Sequence, residues 1–90
     1  MQPPTKQEIG TMLVAVGVAG YRMDDTKAKF DKDKSKENIK EHLEALTDLR
    51  DKMIEVKPYT NVLISFEFGR KIKAVQHEID IYSKTLEGMI

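Results

Sequence analysis

The chain has no cysteine among its 90 residues. No disulfide can staple it, and no cysteine-based zinc site can form. The absence of thiols fits a reducing compartment, so the cytoplasm is the expected location. Net charge is lacking as well, because fifteen lysines and arginines cancel fifteen aspartates and glutamates. A neutral domain has no electrostatic footprint for general nucleic-acid binding. A long apolar run is also missing. Ile9 to Tyr21 is free of formal charge for thirteen residues, whereas a spanning helix needs about twenty. Lys6 ahead of the run and Val18-Ala19-Gly20 within it give a faint outline of a secretory signal, which Glu8 spoils by setting an acid at its start. The run reads first as a buried core helix and second as a membrane-associated segment.

Catalytic and ligand motifs are missing too. Ser65 and Ser83 have no arrangement of bases beside them and no Gly-x-Ser-x-Gly turn. Gly17 to Gly20 has glycines but no Gly-Lys-Ser/Thr to hold a phosphate. Asp31-Lys32-Asp33-Lys34-Ser35 starts like a calcium loop. Lys36 then stands where that loop needs glycine, and His42 stands where it needs glutamate. His42 and His77 fall at similar heights in a helical hairpin. Their neighbours Glu41 and Glu78 are adjacent in sequence and point elsewhere, so no metal site is predicted. The expectation is a protein without enzymatic activity, cofactor or metal.

What the chain does have is helical rhythm. Hydrophobic residues make up 40% and charged residues 33%, the balance of a helical protein with charged outer faces. Ile64, Phe68, Ile72, Val75, Ile79, Tyr82, Leu86 and Met89 recur at steps of three and four, one face of a long helix over about 60–88. Ile39, Leu43, Leu46, Leu49, Met53 and Val56 mark a second helix over about 36–56, with Ser35 as its cap and Pro58 beyond its end. Thr60 or Asn61 caps the helix that follows. Pro3-Pro4 favours an extended lead-in, and Thr5 with Glu8 forms a capping-box pattern that starts a first helix over about 6–23. Valine-rich 12–18 and alternating 62–68 also read as strands. Residues 25–35 are almost wholly charged and read as a solvated, partly helical connection.

These elements predict one all-α domain over residues 1–90, a small bundle built on an antiparallel hairpin of the two long helices. A tight turn at Pro58 sets Met53 against Ile64, Leu49 against Phe68 and Leu46 against Ile72. The first helix then lies against Tyr59, Leu63 and Phe66. In that register Tyr82, Leu86, Met89 and Ile90 outrun their partner helix. Either Phe30 and the charged connection fold back over them, or another subunit or protein does. Phe30, Tyr82, Leu86, Met89 and Ile90 are therefore the expected partner-binding residues. A chain this short buries only ~60–65% of its unfolded surface, which favours association into a homo-oligomer. The expected function is a small helical interaction module, an inhibitor, accessory or assembly protein. Two other readings stand beside it: a membrane-associated protein using 9–21, and an anionic-ligand or nucleotide binder using Arg70, Lys71 and Lys73 across subunits.

Overall fold

The computed structural model describes residues 2–89 and is all-α among them. Helix α1 spans Lys6–Lys32, α2 spans Lys36–Val56 and α3 spans Val62–Gly88, with a short 3-10 turn at Lys57–Tyr59 between α2 and α3. Each long helix starts on the signal that the sequence offers. Thr5 Oγ1 accepts from the Glu8 amide at 3.1 Å and Glu8 Oε1 accepts from the Thr5 amide at 3.2 Å, so the capping box closes from both sides. Ser35 accepts from the Asn38 amide to start α2. Asn61, and not Thr60, starts α3 by accepting from the Ile64 amide at 2.9 Å. The segments 12–18 and 62–68 are helical throughout.

The first helix is longer than its apolar pattern predicts. It runs on through the charged stretch to Lys32, which leaves only Asp33 to Ser35 as the connection. The reason is a stripe with one polar member. Ala19, Met23, Thr26 and Phe30 keep helical spacing and face inward, while the charges between them stay solvated. Lys29 and Lys32 fall in the last turn, where they complement the helix dipole. Asn38 then donates to the carbonyl of Asp33 at 2.8 Å and closes the corner.

The organising element is α2. Seven of its residues are buried, against three in α1 and Val75 alone in α3. Ile39, Leu46, Met53 and Val56 are nearly or fully enclosed, each worth ~1.5–3 kcal/mol of transfer free energy. Both neighbours pack on α2 and run antiparallel to it. Thr26 and Lys29 of α1 meet His42 and Glu41 of α2. His42 and Arg50 of α2 meet Tyr82 and Gln76 of α3.

That last register differs from the expected one. A turn at Pro58 sets His42 opposite Val75 and Arg50 opposite Glu67. His42 instead meets Tyr82 and Arg50 meets Gln76, shifts of seven and nine positions, or about two helical turns. The 3-10 turn and Thr60-Asn61 delay the reversal, so the first turns of α3 run past the end of α2. The overhang is therefore at the start of α3 and not at its end. Helix α1 also packs on α2 and leaves Leu63 and Phe66 uncovered, in place of its expected position against them. The molecule measures 45 × 24 × 19 Å, its long axis close to the ~40 Å of a 27-residue helix.

Candidate functional site

The expected partner-binding residues differ in exposure. Phe30 is 7% exposed, and its ring meets Tyr82 edge to face at 5.7 Å. Tyr82 and Leu86 are half-buried, because the shifted register lays the end of α3 over the start of α2. Met89 is exposed, and Ile90 lies outside the described residues. Phe30 thus folds back on Tyr82 and is buried, while Tyr82 and Leu86 stay partly accessible.

Under that contact lies a buried polar node that the sequence did not reveal. His42 is 0% exposed, and its Nδ1 sits 2.8 Å from Thr26 Oγ1. The Thr26 hydroxyl donates to the Met23 carbonyl at 3.0 Å, so its oxygen accepts from His42 Nδ1–H. The tautomer is assigned from this bond. It leaves Nε2 unprotonated and without a hydrogen-bond partner. Tyr82 closes the other side, its ring perpendicular to the imidazole at 4.7 Å. Burial pushes the His42 pKa below its ordinary value of 6.5; Glu78 and Asp31 pull it up and Lys27 pushes it down. The ring is a neutral core residue. His77 is exposed on the far face of α3, beside Arg50, Gln76 and Asp80. Among the described residues no group of three side chains could hold a metal ion.

The expected anion-binding residues divide between two clefts. Arg70 and Lys73 line an open cleft of about 530 Å³ at the α2–α3 turn, with Lys57, Thr60, Ser65 and Phe66. Lys71 points away into a second cleft of about 520 Å³ between α1 and α3. That second cleft has Leu49 and Met53 as its floor, Val16, Gly17, Gly20 and Tyr21 on one wall, and Phe68 and Val75 on the other. It exists because α1 and α3 each pack on α2 and leave the third contact of a closed bundle open.

Exposed apolar side chains mark the end of the molecule where α3 overhangs α2. Val62, Leu63 and Phe66 are 84%, 79% and 66% exposed on the overhanging start of α3. Tyr59 precedes them and is also exposed, while Val14, Val18 and Tyr21 are exposed along α1, with Tyr21 level with the middle of α2. The opposite end carries the charged last turns of α1 and the first turns of α2, with Ile81 and Met89 of α3 also exposed there. Sequence reading missed this surface because it depends on the register of the hairpin. The one available signal was the second apolar face formed by Leu63 and Phe66.

No helix is long and apolar enough to cross a membrane among the described residues. The fold and the surface together define a class: a three-helix all-α protein with an open cleft and one apolar end. The chain matches no protein-family model, no curated protein and no solved structure.

Proposed function

We propose that this protein is a non-enzymatic helical interaction module that works through the apolar end of its bundle and associates with itself. The observation that carries this reading is the exposure of Tyr59, Val62, Leu63 and Phe66 at the end where α3 overhangs α2. Contiguous exposed apolar surface beyond a few hundred Å² marks a contact site in small domains. The charged end keeps the particle dissolved while the apolar end meets its partner. Sedimentation equilibrium tests the reading. The expected result is a mass above the monomer that rises with concentration. A monomer up to near-millimolar concentration overturns self-association.

A second reading rests on the turn cleft. Lys57, Arg70 and Lys73 surround it, with the hydroxyls of Thr60 and Ser65 and the ring of Phe66 beside them. Three cations and an aromatic face suit an anionic ligand such as a nucleotide. A thermal-shift series with nucleotides tests it, since a ligand that binds the folded state raises the melting temperature by mass action. No shift at millimolar nucleotide removes this reading.

A further inference from the structure

We propose that a second copy of this chain seats on the α1–α3 cleft, with its α1 antiparallel to the first about a two-fold axis near Ala15. This inference rests on the self-association proposed above and names its geometry. Three observations carry it: an unexplained set of glycines, a self-complementary stripe, and unpaired charges of opposite sign at its ends.

The glycines come first. Gly10, Gly17 and Gly20 lie inside α1, where glycine destabilises a helix relative to alanine. None has a positive φ. A Cβ built on any of the three meets nothing within 4 Å. The monomer therefore has neither a conformational nor a packing reason for them. A helix that approaches this side of α1 supplies the packing reason.

The stripe comes second. Lys6, Gly10, Leu13, Gly17, Tyr21 and Asp24 follow steps of four, three, four, four and three along α1, so they share one face. Gly17, Tyr21 and Asp24 line the cleft. Tyr21 is 79% exposed. Laid antiparallel on a copy of itself, the stripe matches large to small and plus to minus. Tyr21 falls opposite Gly10 of the second copy, Leu13 falls opposite Gly17, and Lys6 falls opposite Asp24. Each contact occurs twice, as an isologous interface requires.

The charges come third. Lys6, Asp24 and Asp25 make no ion pair among the described residues. Lys6 opens α1, where its charge opposes the helix dipole. A parallel pairing would set Lys6 on Lys6 and Asp24 on Asp24. Charge complementarity thus selects the antiparallel arrangement and a second copy as the occupant. One helix face and one cleft make a smaller contact than the ~800 Å² per partner of a standard interface, so the dimer is a weak one.

Sedimentation of the full chain tests this, with far-UV circular dichroism to verify folding. The wild type is expected to approach twice the monomer mass in the micromolar to near-millimolar range. Lys6→Asp and Asp24→Lys should each weaken dimerisation by roughly threefold to tenfold, and the double swap should restore it. Gly17→Leu should weaken it by roughly tenfold or more while the chain stays helical, and Gly10→Leu provides a second such variant. A dimer indifferent to these four changes overturns the pairing and leaves self-association standing. A wild type that stays monomeric overturns both. Single charge variants that weaken the dimer without recovery in the double swap also overturn the antiparallel pairing.

Discussion

His42 of α2 and Thr26 of α1 share a 2.8 Å hydrogen bond inside the core. The bond holds the second half of α1, otherwise so charged, against α2. Removing one partner should cost more than the bond itself, because the other is left buried and unpaired. Thr26→Val is expected to lower stability by ~1–3 kcal/mol in urea unfolding. Thr26→Ser should retain most of it. Equal stability of the valine variant and the wild type would show that the imidazole finds another partner.

The same histidine makes stability depend on pH with a definite sign. Its folded pKa lies below 6.5 because burial disfavours the charged ring. As pH falls through 6.5 the unfolded chain takes up a proton that the folded chain refuses. The stability that neutral His42 contributes is full above pH 6.5 and is lost as pH falls from there through the folded value. The slope is at most about 1.4 kcal/mol per pH unit. Melting temperature should therefore drop between pH 7.5 and 5, and His42→Gln should flatten that drop. A parallel drop in the variant would assign the dependence to the carboxylates.

Phe30 and Phe66 separate the inner aromatic cluster from the outer surface. Phe30 is buried against Tyr82, and Phe66 stands in solvent. Phe30→Ala should destabilise by about 3 kcal/mol. Phe66→Ala should stay within about 0.5 kcal/mol of the wild type in a monomeric sample. Reversed magnitudes in denaturant titrations would return Phe30 to the surface and restore the C-terminal overhang.

Local signals carried most of the architecture, and the missing part was geometric. The Thr5–Glu8 box, the Ser35 cap and the apolar steps of α2 placed helix starts and stops to within a residue or two. Residues 24–32 escaped because Thr26 stands where an apolar residue was sought. Its hydroxyl is satisfied by Met23 and His42, so it serves as a core residue that periodicity cannot detect. The hairpin register escaped for a different reason. Apolar faces with period 3.6 fit one another equally well after a slip of two turns, so pattern alone does not choose between them. The conformation of Lys57 to Asn61 makes that choice, and it moved the exposed apolar surface from one end of α3 to the other. His42 was legible only as a histidine at the height of His77, because its burial depends on α1 reaching past Met23.

Gly17 offers the sharpest separation between what the single chain requires and what an association requires. A Cβ at Gly17 meets nothing within 4 Å, and its φ is negative. Alanine there restricts the unfolded chain without straining the folded one, so the monomer should gain roughly 0.5–1 kcal/mol. If a second α1 packs over the same position, the added methyl holds the two helices apart and weakens the dimer. The two effects act at different concentrations. Urea unfolding in dilute solution reads the gain alone, and unfolding in concentrated solution reads the gain offset by the lost association. The expected outcome is a variant more stable than the wild type when dilute, with an advantage that shrinks or reverses as concentration rises. A constant advantage would mean that the Gly17 face stays open to water in solution. A disadvantage even when dilute would mean that something within the chain closes on it.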